Sequence, residues 1–328
     1  MKRRVLIIAG SVILLFIANC TRAATITWTN SAGGNWSDAV NWDPNLVPDT
    51  GDDAIITAAG SYTINLHQSV SINSLVFGGG GSSPLLRVEG EGFYQAYLTL
   101  ASSFTNNAVV ELVNTTANRS ATLTVNGGPL VNSVTGTLLV SAGAGGGTRT
   151  LTAELDNRGT LTVQYPLSMS KTGSSHTNSG SIVASADIGL TLYSSTFDNS
   201  GSTTFSGGAG LNITGNGSGS IFTTTGTLAL GAGLMDVNNC TFNYDGTVTG
   251  SGTQDYSGVN LNLTPDLSNV GTEILLYNST VSGPGTLINA AGESMLLTDI
   301  TCNADLENSG DLVCRRTVNL NGGFENLG

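Results

Sequence analysis

Apolar and polar residues alternate along most of the chain in short runs, and glycine, serine, threonine and asparagine interrupt these runs. Alternation with a period of two is typical of β-strands that bury one face. The intervening threonines and serines are expected to face water. Positions predicted to point into a common interior include Leu161, Val163, Ile182, Leu190, Leu192, Leu228, Leu230 and Leu275.

A short phrase recurs in which an asparagine, one further residue and a glycine precede a β-type run. Glycines at positions 136, 159, 180, 201, 226 and 246 follow one another at steps of 23, 21, 21, 25 and 20 residues. One coil of a β-solenoid needs roughly 20 to 25 residues. We therefore predict an all-β fold, a parallel β-helix of about 21 to 25 residues per coil, right-handed because crossovers between parallel strands usually are. The clearest copies of the phrase are Asn157-Arg158-Gly159, Asn178-Ser179-Gly180, Asn199-Ser200-Gly201 and Asn308-Ser309-Gly310.

Both residues of this phrase suit the corner of a coil. Glycine is expected where a turn requires positive φ, and stacked asparagine side chains at equivalent corners can form a ladder of hydrogen bonds. The alternative is that the phrase marks hairpin turns of an antiparallel sandwich. The repeated step of 21 residues favours the solenoid.

Residues 1–23 are predicted to be a secretory signal peptide, with a basic start, an apolar run and a small-residue cleavage site at Ala23. The apolar run is too short to span a bilayer, so we expect no membrane insertion of the mature chain. The residues before Cys20 also resemble a bacterial lipoprotein signal, which leaves lipid anchoring at Cys20 as an alternative. Asn19 departs from that pattern, so secretion or cell-surface display through ordinary export is preferred.

Residues 24–60 contain all three tryptophans, Trp28, Trp36 and Trp42. We predict that they form an N-terminal cap, because the first coil of a solenoid has an open end that must be covered. The alternative is that exposed indoles stack on sugars. Residues 61–328 are predicted to be the β-helix repeats, and the phrase that stops at Gly328 leads us to expect a longer protein of which this is the front part.

The N-terminal segment resembles a known class of proteins. Gly34-Asn35-Trp36, Asn41-Trp42 and Val47-Pro48 are followed by the strand-like residues 51–56, 62–66 and 71–75. This order is similar to the start of large bacterial surface β-helix proteins with autotransporter-type passenger repeats. The resemblance covers roughly the first 60 mature residues. It implies a secreted or surface, adhesin-like role and no particular reaction.

The charge of the mature chain restricts its partners. Without the four basic residues of the signal segment, the chain has seven basic and 23 acidic residues, so its formal net charge is −16. Such a chain repels phosphate backbones, so nucleic-acid binding is not expected. The expected partner is an extracellular ligand of unknown identity, with a polysaccharide or another cell-surface molecule as the leading possibilities.

Three cysteines follow the signal segment, Cys240, Cys302 and Cys314. Cys302 and Cys314 are the closest pair and form a possible disulfide, with free thiols inside the solenoid as the alternative. No CxxC pair or nearby histidine suggests a metal site, and no motif suggests a cofactor.

The sequence offers little catalytic machinery. His67 and His176 have no carboxylate within a few residues and are predicted to be turn residues, and Asp52-Asp53 is predicted to be a solvated turn. We therefore predict a non-enzymatic structural or adhesion protein. The alternative is a polysaccharide-active enzyme, a lyase or glycoside hydrolase, which requires several carboxylates and a base on one solenoid face.

Overall fold

The computed structural model describes residues 23–328. They form an all-β parallel solenoid of about 13 turns with about 21 residues per coil, which confirms the predicted fold class. The right-handed sense of the coil stays a prediction. Residues 1–22, including Cys20 and all but the last residue of the predicted signal peptide, lie outside the described residues.

Each coil has three sides, and strands on the same side of successive coils pair in parallel. Side 1 consists of Ser69–Ile72, Ala96–Leu100, Leu167–Ser170, Ile188–Tyr193, Leu211–Asn216, Leu234–Asn238, Thr253–Ser257 and Glu273–Tyr277. Side 2 consists of Thr25–Trp28, Asp53–Ile56, Ser74–Phe77, Phe104–Asn106, Ser175–Asn178, Thr196–Asn199, Ile221–Thr224, Thr241–Tyr244, Asn260–Leu263 and Thr280–Ser282. Four long strands continue from side 1 into side 2, namely Ala121–Asn132, Arg149–Asn157, Ser294–Cys302 and Asp311–Leu320.

Side 3 completes the coil and is divided into a ten-stranded and a four-stranded sheet. The first contains Gly34–Asn35, Thr63–Leu66, Leu85–Gly90, Val109–Asn114, Thr137–Val140, Thr160–Val163, Ser181–Ala184, Ser202–Phe205, Thr227–Ala229 and Thr247–Thr249. The second contains Leu267–Ser268, Leu287–Asn289, Leu306–Asn308 and Phe324–Asn326. A short 3-10 helix, Ala39–Asn41, and one antiparallel strand, Trp42–Asp43, belong to the N-terminal segment.

The core is a set of side-chain columns that run along the solenoid axis. On side 3, Leu161 lies opposite Ile182 in the next coil, and Val163 lies opposite Ala184. All four side chains are buried. A strand with one buried face fixes its register, because a shift of one residue would turn every apolar side chain outward.

One predicted core position is wrong. Leu275 points away from the interior, and its neighbours Ile274 and Leu276 are the buried residues of that strand. Three consecutive apolar residues fit either face of a strand, so alternation alone does not fix the register there.

The first asparagine ladder lies at the corner between sides 2 and 3. Each amide donates one hydrogen bond to the side-chain oxygen one coil further on: Asn157 to Asn178 and Asn178 to Asn199, both at 2.7 Å. The second amide proton is donated to a backbone carbonyl of that coil, as from Asn178 to Ser202 at 3.3 Å. These side chains are fully buried, yet both their donors are satisfied. The ladder consists of Asn106, Asn132, Asn157, Asn178, Asn199 and Thr224.

A second ladder lies at a different corner, between sides 3 and 1. It links Asn269, Asn289, Asn308 and Asn326 at 2.6 to 2.8 Å. Asn308-Ser309-Gly310 therefore does not continue the corner of Asn157, Asn178 and Asn199, although the sequence phrase is the same. The phrase therefore specifies a type of tight corner, and this type occurs both between sides 2 and 3 and between sides 3 and 1.

The corner glycines are required for a reason other than the predicted one. Gly159, Gly180 and Gly201 do not have positive φ. A Cβ atom built on Gly180 would collide with the carbonyl oxygen of Gly159, and one on Gly201 with that of Gly180. Glycine is needed because successive backbones approach too closely at this corner to admit a side chain. Gly310 has the same restriction against the carbonyl oxygen of Ala290.

The tryptophans lie together at the N-terminal end. Trp28, Trp36 and Trp42 are at most 1% exposed, and the ring of Trp42 packs edge-on against the other two at centroid distances of 5.0 and 4.8 Å. Trp42 belongs to the strand that pairs antiparallel with Thr25–Trp28, whose other edge pairs with Asp53–Ile56. The antiparallel strand therefore covers the first edge of side 2, and burial of the indoles excludes sugar stacking on them. Parallel stacking already includes Asp53–Ile56, which lies within the 24–60 segment assigned to the cap.

We expect Asn178→Ala to lower the free energy of unfolding by about 3 kcal/mol, because it leaves the buried Asn157 amide without its acceptor. Chemical denaturation monitored by circular dichroism measures the change. Asn262→Ala is the control, since Asn262 is exposed and makes a surface bond to Asn243 at 2.9 Å. Its effect should stay within about 0.5 kcal/mol. Equal effects of the two variants would contradict a structural role for the ladder.

Gly180→Ala should destabilise the fold by about 3 kcal/mol, because the new methyl group would overlap the carbonyl oxygen of Gly159. Gly189→Ala is a matched control: its nearest neighbour would be the carbonyl oxygen of Leu167 at 3.9 Å, an ordinary contact. We expect this control to be neutral or slightly stabilising. Thermal unfolding of both variants tests the close approach of the two backbones at this corner. A Gly180→Ala variant as stable as the unchanged protein would disprove it.

Candidate functional site

The cysteines are unpaired within the described residues. Cys302 lies opposite Leu320 and Cys314 lies opposite Leu297, so the two residues occupy different positions along successive coils. A disulfide requires Cα atoms within about 7 Å, and the five strand positions from Leu297 to Cys302 span about 16 Å. The predicted pair is therefore not formed. Burial raises the pKa of the Cys240 thiol to about 12 and that of Cys302 to about 11, which makes both of them core residues rather than reactive groups.

His176 is not the turn residue that the sequence predicts. It lies in strand Ser175–Asn178, is fully buried, and stacks on Phe197 at a ring-centroid distance of 6.2 Å. Its Nδ1 accepts the backbone N–H of Leu155 at 3.1 Å. Burial, with a smaller contribution from the charge of Lys171, lowers the pKa of His176 to about 4. The ring is therefore neutral in the folded protein at neutral pH and is part of an internal aromatic column.

Because an unfolded histidine titrates near 6.5, the unfolded chain gains a proton between about pH 6.5 and 4 that the folded chain does not. Folding stability should fall by up to about 3 kcal/mol over this range as the pH decreases. His176→Phe introduces the residue that occupies the equivalent position of the next coil, Phe197. Because phenylalanine does not titrate, this variant should lose this part of the pH dependence. Denaturation of both proteins at pH 7 and pH 4.5 provides the measurement. A pH dependence unchanged in the variant would show that other groups cause it.

Asp52 and Asp53 also do more than form a solvated turn. Asp52 accepts hydrogen bonds from the backbone N–H groups of Ala24 and Asp49, both at 3.0 Å. Asp53 begins a side 2 strand and accepts from the side chain of Asn73 at 2.7 Å. Asp52 thus joins the first coil to the second, and Asp53 joins the second to the third. The sequence alone did not indicate these partners.

Five ionisable side chains form a cluster on side 3, near the N-terminal end. Nδ1 of His67 lies 3.0 Å from Oε2 of Glu91 and 3.8 Å from Oε2 of Glu89. Beside them, Arg87 donates from Nε to Glu111 at 2.8 Å. The side chains of Glu89 and Glu111 are only 5% and 8% exposed, although both residues lie on the outer face of the sheet. We call these five residues the His67 cluster.

The cluster adjoins a stack of loops at the corner between sides 3 and 1, and its Glu91 belongs to the first of them. Residues 91–95, 115–120 and 141–148 connect the two sides in three consecutive coils, and we call them the loop corner. Its first loop is a hairpin in which the backbone N–H of Tyr94 donates to the carbonyl of Glu91 at 2.9 Å. Phe93 and Tyr94 at its tip are 89% and 67% exposed.

Buried polar side chains fix the loop corner. Arg149 is fully buried and donates to Oδ1 of Asn114 at 2.9 Å and to the carbonyl of Ala142 at 3.0 Å. Burial lowers the pKa of Arg149, and its guanidinium lies 4.6 Å from the ring centre of Tyr165. Asn114 in turn donates to the carbonyls of Gly145 and Gly146. Hydrogen bonds from the solenoid interior therefore hold the second and third loops in place.

A second group of carboxylates lies on the outer face of side 1. Asp236 and Asp255 are direct neighbours in adjacent coils, and Asp236 accepts from the side chains of Asn212 and Asn238 at 3.0 and 2.6 Å. Burial, together with the charges of Asp236 and Glu273, raises the pKa of Asp255. Asp236 and Asp255 are about one coil length apart in the sequence, and so are His67 and Glu89. Polar residues separated by one coil length are therefore the sequence signal for such contacts.

A comparison of the chain with protein-family models, curated proteins and solved structures found no match. Within the described residues no helix is long and apolar enough to cross a membrane, and no group of three or more His, Cys, Asp or Glu residues is arranged to hold a metal ion. The corner asparagines make hydrogen bonds between successive coils, and the three tryptophans are buried at the N-terminal end. The structure thus defines the class of the protein as a parallel β-solenoid.

Proposed function

We propose that the protein is an exported, non-enzymatic β-helical scaffold that makes contacts at the cell surface or in the extracellular space. The observation that carries this proposal is the loop corner, where exposed aromatic residues are held on a scaffold whose coils are joined by hydrogen-bonded ladders. A rigid support of this kind lowers the entropy that binding costs. The signal-like residues 1–23 and the resemblance to surface β-helix proteins support export.

Expression of the full chain in a bacterial host tests export. We expect the protein outside the cytoplasm, with an N-terminus at Ala24 after removal of residues 1–23. Cell fractionation with mass spectrometry of the N-terminal peptide makes the measurement, and a chain that retains a lipid at Cys20 would identify the alternative anchor. A cytoplasmic protein with an intact N-terminus would contradict the proposal.

A polysaccharide-active enzyme is the second candidate, and one observation favours it. The His67 cluster places a histidine 3.0 Å from a carboxylate, together with two further carboxylates on the same face. Such an arrangement can support general acid–base chemistry. The scaffold proposal predicts no release of reducing ends from a panel of polysaccharides. Release that is lost in His67→Ala and Glu91→Gln, but kept in Glu273→Gln, would favour the enzyme instead.

A further inference from the structure

The His67 cluster contains several hydrogen-bonding atoms that the protein leaves unmatched. The side chain of Glu89 is 5% exposed, its carboxylate makes no hydrogen bond to any residue from 23 to 328, and its one ion-pair contact is His67 at 3.8 Å. Nδ1 of His67 is buried and lacks hydrogen-bond geometry to either glutamate, and Oδ1 of the adjacent Asn65 is also buried without a partner. Buried charged groups are nearly always hydrogen-bonded, and the oxygens of Glu89 are not among the fully enclosed atoms, so Glu89 points to donors supplied from outside the chain.

These atoms come from two adjacent coils and lie side by side. His67 follows strand Thr63–Leu66, and Glu89 belongs to strand Leu85–Gly90, which pairs with it in parallel. The oxygens of Glu89 and Glu91 converge on the same nitrogen of His67. A molecule that places O–H groups at this point would therefore meet both carboxylates at once.

Two exposed aromatic residues follow Glu91 closely along the chain. The hairpin that begins at Glu91 exposes Phe93 and Tyr94 at its tip. The next loop fastens this tip: Oγ1 of Thr116 accepts the N–H of Gly92 at 2.9 Å, and Arg119 donates to the carbonyl of Gly92 at 2.7 Å. Because the backbone of the tip is held in place, the two exposed aromatic side chains start from a fixed position, which lowers the ordering cost of stacking on a ligand.

We propose that the His67 cluster and the Phe93-Tyr94 hairpin form a binding site for a saccharide without acidic groups. Sugar hydroxyls donate to the carboxylates of Glu89 and Glu91, while the C–H face of a ring stacks on the aromatic side chains. The site combines three carboxylates with one guanidinium, and the mature chain carries a strong negative charge, so uronates and sulfated sugars are repelled. This inference relies on the proposed extracellular role only for access to such a ligand.

Binding of oligosaccharides to the purified chain tests the proposal. Calorimetry with cellohexaose, xylohexaose, mannohexaose and chitohexaose should detect binding of at least one probe, and hexagalacturonate should not bind. Glu89→Gln should weaken that binding about tenfold or more, because it replaces a charged acceptor by a neutral one. Phe93→Ala should also weaken it, and Glu273→Gln, a matched change at an exposed position on side 1, should leave it unchanged.

The outcomes distinguish this inference from the scaffold proposal. Phe93 is exposed at a loop tip, so Phe93→Ala should fold normally. This variant therefore tests the inference even if Glu89→Gln does not fold. No binding of any non-acidic probe at millimolar concentration would overturn the inference, as would affinity unaffected by both changes or a preference for hexagalacturonate. Tight binding of Zn²⁺ or Ca²⁺ lost in Glu89→Gln, without sugar binding, would also overturn it. Export is measured separately, so failure of one proposal leaves the other intact.

Discussion

The fold depends on the pairing of each coil with the next in register. A single coil has no interior of its own, and its backbone N–H and C=O groups find partners only in the coils on either side. At the tight corner, the Asn178 amide bonds to the next coil through both of its protons, while Gly180 allows the backbones to come close enough. Asparagine and glycine therefore act together: removal of the glycine would push apart the coils that the asparagine joins.

The two ladders divide the solenoid into an earlier and a later part. The ladder between sides 2 and 3 ends at Thr224, and the one between sides 3 and 1 begins at Asn269. Between them, Phe242 on side 2 packs against both Phe222 in the preceding coil and Tyr256 on side 1. The loop corner occupies, in the early coils, the same corner that the second ladder closes in the late coils. The solenoid thus keeps one corner tight for stacking and opens the other for loops.

Much of this architecture was predictable from the sequence, because the period of about 21 residues and the two-residue alternation are local signals. The asparagines at 157, 178 and 199 follow directly from that period. Other features were not predictable, since they depend on which coil faces which. Asn308 occupies another corner despite an identical phrase, and the apolar run at Leu275 fits both registers. The contact between His67 and Glu91 joins residues 24 positions apart, so neither residue looks unusual by itself.

Hydrogen exchange of the asparagine side-chain amides, measured by NMR, tests the central claim most directly. If the coils are joined as described, the Nδ2 protons of Asn132, Asn157 and Asn178 will exchange far more slowly than those of the exposed Asn262, because both of their protons are bonded and buried. Equal exchange rates for the buried and the exposed amides would show that the coils are not held together at this corner.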